Sequence, residues 1–229
     1  MSELPRQRRG TTPQMHGRYP DYDVLENADH WDEATRKVVL ARVHDVPPVR
    51  FFDARQEATV RALADVLTAQ DSEPRIPLVN FIDEKLFTGQ GEGYRYFDMP
   101  EDREVWRRVA RGLDDEARAR AGAASFADAG DDVQHEIVGD LAEARLFGGV
   151  WSTFNVDHAF STVMNAVLEA FYSHPWAWNE IGFGGPAYPR GYVRFGSPQL
   201  QPGETETWEA PEEYDVDPVR GEREPPPRP

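Results

Sequence analysis

The stretch "FFDARQEATVRALADVLTA", residues 51–69, decides the fold class. Asp53 stands at a helix N-cap and Gln56 follows three residues later. That is the pairing of a capping box, in which each side chain takes a backbone N–H that the first turn leaves without a partner. Val60, Leu63, Ala64 and Leu67 then recur at the spacing that lines one face of a helix.

Working outward, the same grammar repeats. "DHWDEATRKVVLARV", residues 29–43, predicts a helix opened by an Asp cap, with Trp31, Ala34, Val38 and Ala41 as its apolar stripe. Pro47 and Pro48 end it, because proline cannot continue a helix. "PRIPLVNFIDEKLFTGQGEGYRYFDMP", residues 74–100, predicts a helix over about 77–86 with Leu78, Phe81, Ile82 and Phe87 inward, then an exposed Gly-rich loop over 88–99. "PEDREVWRRVARGL" restarts with Pro100 at the first helical position and acids in the first turn, where the helix dipole favours them. Further helices are expected over about 113–121, 130–146 and 156–173. No segment alternates apolar and polar residues as a half-buried strand does.

The expected fold is therefore all-α, a bundle of about six to seven helices without internal repeats, with an irregular aromatic, Gly- and Pro-rich closing loop and flexible termini. Residues 1–30 form an N-terminal arm, polar and without helical periodicity, part of which docks through Tyr19, Tyr22 and Leu25. Residues 31–195 are the helical domain. Residues 196–229 are an acidic tail holding 8 of the 19 prolines. Its few apolar side chains, Trp208 and Tyr214 among them, cannot offset the entropy of ordering it.

A formal net charge of -16, from 41 acidic against 25 basic residues, argues against nucleic acid or an anionic membrane as partner. Only Lys37 and Lys85 are lysines, a dense-acid, arginine-rich pattern that resembles proteins of extreme halophiles, in which salt screens the self-repulsion. No Cys is present, which removes disulfide frameworks, thiolate metal sites and thiol nucleophiles. Arg8-Arg9 is followed by Thr, Pro, Gln and His rather than an apolar run, so the expectation is a cytoplasmic chain, or one exported with a signal-bearing partner. No apolar stretch approaches the roughly 20 residues of a membrane span.

The usual chemistry-bearing motifs are missing. Six histidines invite a metal, but neither Glu-x-x-His nor His-Glu-x-x-His occurs. "GFGGPA", residues 182–187, satisfies a dinucleotide fingerprint in letters only. The fingerprint works when a strand precedes it and a helix N-terminus follows, whereas here a helix precedes it and Pro186 removes a donor. The acidic pairs Asp114-Asp115 and Asp131-Asp132 lie at predicted helix starts, where capping accounts for them. No catalytic, cofactor-binding or metal-binding residue is assigned.

What remains is "SHPWAWNEIGFGGPAYPRGY", residues 173–192. Pro175 is expected to stop regular structure, and the aromatic residues beyond it need either a core or a partner. Trp, Tyr and Arg dominate interface hot spots, and a loop stiffened by Pro and Gly loses little entropy on docking. Trp176, Trp178, Asn179, Phe183, Tyr188, Arg190 and Tyr192 are the candidate partner-binding residues; equally, the loop plugs its own bundle, and both hold if the Trp pair lies inside with Arg190 and Tyr192 outside.

Three segments, "FFDARQEATVRALADVL", "IPLVNFIDEKL" and above all "EAFYSHPWAWNEIGFGGPAYPRGY", resemble the gluconate 2-dehydrogenase subunit 3 family over about residues 48–195. The resemblance implies a non-catalytic small subunit, forming a heterodimer with a large FAD-dependent dehydrogenase of the glucose-methanol-choline type and helping it fold, mature or be exported. FAD is expected in that partner and no cofactor in this chain; in several such complexes a cytochrome c subunit takes the electrons. Members often carry a twin-arginine signal, which this chain lacks in usable form. Two other readings fit the residues: a small-ligand-binding bundle with the aromatic loop as lid, and a helical-bundle enzyme acting alone.

Overall fold

A computed structural model of the chain describes residues 23–71, 73–91, 93–181 and 183–186. Tyr19, Tyr22, Tyr188, Arg190, Tyr192 and the acidic tail lie outside the described residues. Among those described there are α-helices and short 3₁₀ helices and no strands. The order is η1 (Val24–His30), α1 (Glu33–His44), α2 (Ala54–Thr68), α3 (Leu78–Thr88), α4 (Asp102–Ala121), η2 (Phe126–Asp128), α5 (Asp131–Ala142), η3 (Gly149–Thr153), α6 (Val156–Tyr172) and α7 (Pro175–Ile181). The chain divides into two compact units: Met1–Val46 with Ser72–Ile76 and Tyr172–Pro229, and Pro47–Asp71 with Pro77–Phe171.

The second unit is built on α2 and α4. The Asp53–Gln56 capping box is present in both directions, and Val60, Leu63 and Ala64 are buried as the spacing requires. α2 packs against α3, α4, α5 and η2, and α4 packs in turn against α5, η2 and η3. α4 is a single helix through residue 113, where a new one was expected, because Val105, Trp106, Val109, Ala110, Leu113 and Ala117 stay in phase on one buried face. Asp102, not Pro100, is its first helical residue, with Glu101 at the N-cap. α5 stops at Ala142, short of 146, and Ala144 turns left-handed at φ 52°.

Two acidic side chains sit inside this unit. Asp83 of α3 is completely buried, and its carboxylate accepts the backbone N–H groups of Arg50 (2.7 Å), Phe51 (2.9 Å) and Phe52 (2.9 Å). Those contacts tie the chain entering α2 onto α3. Asp114 caps no helix; buried in the middle of α4, it accepts from Arg55 Nε (2.6 Å), Thr59 Oγ1 (2.6 Å) and the Phe126 N–H (2.9 Å). Phe87, expected inward, is exposed under the Arg50 guanidinium, 4.0 Å from its ring centre. Val79, Asp83 and Leu86 take the inward positions beside Leu78 and Ile82.

In the first unit the stripe read from Trp31 is out of phase. Trp31 precedes the N-cap Asp32 and is not part of α1. Counted from the true start, Val39 is the buried residue, while Val38 is 55% exposed. Val24, Trp31, Val39 and Trp178 form the core of this unit, with Leu25, Ala28 and Phe183 against it.

Candidate functional site

The aromatic segment after α6 does not stay irregular at Pro175. Proline's fixed φ and missing N–H suit a helix's first position, and Pro175 opens α7. The turn before it is held by His174, whose Nε2–H donates to the Arg42 carbonyl (3.1 Å) while Nδ1 accepts the Trp176 N–H (3.2 Å). Arg42 Nη1 donates to the Ser173 carbonyl at 2.7 Å, and the Trp178 indole N–H to that of Tyr172 at 2.6 Å. Asn179 Oδ1 accepts the Val24 N–H (2.8 Å), bridging α7 and η1 across 155 positions of sequence.

The candidate partner-binding residues therefore divide by position. Trp176, Trp178 and Asn179 are buried, and Phe183 is half-buried, edge-on to Trp178 at 5.5 Å. Tyr188, Arg190 and Tyr192 are outside the described residues. Within "GFGGPA", Gly185 has a packing reason: it takes φ +78°, and a Cβ there would stand 2.9 Å from Val24 Cγ2 and 3.1 Å from Trp31. That close approach belongs to a core, not to a phosphate cradle.

The Arg42 carbonyl and the Trp176 N–H together fit the neutral ring of His174: one nitrogen donates, the other accepts. Burial, the dominant cause, lowers its pKa from 6.5 to about 4. The sign follows from linkage. The unfolded histidine takes up a proton from about pH 6.5 downward and the folded one does not until about pH 4, so stability falls across that window. Unfolding free energy is expected to be about 2 kcal/mol lower at pH 5 than at pH 7. Urea titrations of the wild type and His174→Gln check this; equal losses in both would assign the acid sensitivity to carboxylates instead.

The second unit presents a groove that the sequence reading did not single out. Ile82 and Leu86 of α3, Met99, Trp106 of α4 and Ala166 of α6 line a cavity of about 180 Å³, with Lys85, Arg95, Asp102 and Glu169 among its polar lining. Lys85 is ion-paired with Glu169. The loop between α3 and α4 is pinned at its far end: the Tyr96 ring stacks on His158 (3.8 Å, 6°), and Asp98 bonds His158 Nδ1 (2.9 Å) and Asn155 Nδ2 (3.1 Å). Arg103 Nε donates to the Leu86 carbonyl (2.6 Å) and Nη2 to that of Phe87 (2.7 Å), satisfying the end of α3. Between its pinned neighbours Tyr96 and Asp98, Phe97 is 100% exposed, and Tyr94 is 69% exposed.

Among the described residues no three His, Cys, Asp or Glu side chains are grouped to hold a metal ion, and no helix is long and apolar enough to cross a membrane. No curated protein and no solved structure matches the chain. A family model described as gluconate 2-dehydrogenase subunit 3 matches residues 54–185. The match begins at the first residue of α2 and ends at Gly185, so it includes α2, both buried aspartates, the groove and the aromatic segment as far as Gly185, short of Tyr188, Arg190 and Tyr192. It covers more than half of the chain, which belongs to the gluconate 2-dehydrogenase subunit 3 family.

Proposed function

We propose that this chain is the non-catalytic small subunit of an FAD-dependent dehydrogenase of the glucose-methanol-choline type acting on a gluconate-like sugar or polyol. Flavin and substrate are held by the large subunit, and a cytochrome c subunit accepts the electrons. The family match over residues 54–185 carries this reading. The role proposed for the chain is to support folding, maturation or assembly of the flavoprotein. Trp176, Trp178 and Asn179 serve that role by shaping the aromatic segment, and Tyr188, Arg190 and Tyr192 by contacting the partner.

Affinity purification of the tagged chain from its native cells, at high salt to suit a net charge of -16, tests the proposal. A flavin absorption band co-eluting with a large oxidoreductase chain is the expected result; a colourless chain eluting alone overturns it. With the partner in hand, Arg190→Ala combined with Tyr192→Ala is expected to weaken the complex about tenfold or more, with the helical circular dichroism unchanged. Undiminished affinity would remove those two residues from the interface.

A further inference from the structure

Phe97 is an aromatic side chain held in water. Its neighbours on either side are fixed, Tyr96 by stacking on His158 and Asp98 by hydrogen bonds to His158 and Asn155. Met99 next to them is buried. Phe97 therefore stands out from an anchored turn, not from a loop free to fold inward. Leaving such a ring exposed forgoes about 1.5–3 kcal/mol that covering it would return. Beside it, Tyr94, Tyr96 and Met99 help line the groove over Ile82, Leu86, Trp106 and Ala166.

The groove's dimensions and charge define what fits. A volume of about 180 Å³ with an apolar floor is the size for one aromatic ring, since an apolar protein cavity of about 150 Å³ accepts benzene. Among the groove's polar residues, Lys85 is neutralised by Glu169, whereas Arg95 is exposed and has no ion-pair partner among the described residues. An exposed cation at the edge of an apolar groove complements a carboxylate on an incoming surface. A second copy of this chain is the poorer occupant, because two bodies of charge -16 repel on approach.

We propose that the α3–α4–α6 groove receives one aromatic side chain from the flavoprotein subunit, with a neighbouring carboxylate of that subunit on Arg95 and its surface closing over Phe97. The inference rests on the subunit reading above and places a contact in the second unit, apart from the aromatic segment. It has the form of an interface hot spot: an anchor in a pocket, a protruding ring beside it and a charge pair at the edge.

The test uses the full chain and the flavoprotein subunit recovered with it, measuring affinity at fixed salt for Phe97→Ser, Arg95→Glu and Ala166→Phe. The first two replace exposed side chains and leave the fold alone; the third fills the groove from its floor. Each is expected to weaken binding about tenfold or more, with circular dichroism unchanged for the two surface variants. Wild-type affinity in Phe97→Ser and Arg95→Glu, with a stable wild-type complex, overturns this inference and leaves the subunit reading standing. Absence of any wild-type complex overturns both. Sedimentation showing a dimer of the pure chain that Phe97→Ser dissolves would give the groove to a second copy and overturn the proposal in that way.

Discussion

Asp83→Ala is expected to lower the unfolding free energy by about 3 kcal/mol, seen as a lower urea midpoint with an unchanged denaturant slope. The carboxylate is completely buried, and three successive backbone N–H groups, of Arg50, Phe51 and Phe52, converge on it. Alanine leaves all three donors without their acceptor, and the penalty for a buried donor left unmade exceeds what a made hydrogen bond returns. Asp83→Asn separates charge and geometry. Oδ2 accepts from Phe51 and Phe52 and Oδ1 from Arg50, so an amide oxygen in the first place keeps two bonds while its NH₂ faces the third donor. Its cost is expected to be about half that of alanine. Glu84→Gln is the contrast one residue away: it removes only the partly exposed pair with Arg50 and should cost under about 1 kcal/mol. Equal, small effects of all three substitutions would mean that the turn before α2 keeps its shape without Asp83.

How far the fold was readable follows from which interactions are local. The Asp53–Gln56 box and the stripe of α2 lie within a few turns of one helix, and their positions in the chain state them completely. Val38 and Val39 show the limit: with two adjacent valines, the inward one depends on where the helix begins, and Trp31 misled the count by lying before the cap. The buried roles of Asp83 and of Asp114, which was expected to cap a helix, were not legible because their partners come from positions 31 to 59 residues away, or from a following turn, with no sequence mark on the acceptor. Pro175 is ambiguous by its chemistry, since the same missing N–H that ends one helix suits the first turn of the next.

The site was less legible for the same reason. The aromatic content after α6 drew attention to Trp176 and Trp178, and composition alone does not say that both are buried. The loop over 88–99 was readable as exposed and Gly-rich; that Asp98 is tied to His158, 60 residues on, and so holds Phe97 outward, was not. A Phe among Gly, Tyr and Asp reads as an ordinary loop residue until its neighbours are seen to be fixed. The family match spans the groove and reaches into the aromatic segment as far as Gly185, and partner contact is tested at each region separately.

Gly112→Ala carries the second large effect, with a sign opposite to helix propensity. In an exposed helix interior, alanine in place of glycine is favourable by about 1 kcal/mol. Gly112 lies in the middle of α4, and a Cβ there would stand 2.4 Å from Trp151 Cζ2, 2.6 Å from Cε2 and 2.8 Å from Cη2. These are ring atoms of a buried tryptophan, set edge-on to Phe154 at 5.9 Å, so the indole has no flexible end to withdraw. The substitution is expected to destabilise by about 2–3 kcal/mol, as overpacking a filled core does. The ring is there for its volume: its Nε1–H has no hydrogen-bond partner among the described residues. A smaller side chain in place of Trp151 should therefore relieve the clash without orphaning another group. In a double-mutant cycle with Trp151→Leu, the cost of Gly112→Ala is expected to fall to near zero or reverse, giving a coupling above about 1 kcal/mol. If Gly112→Ala costs the same in the Trp151→Leu background as in the wild type, the close approach of α4 and η3 is not what requires glycine at this position.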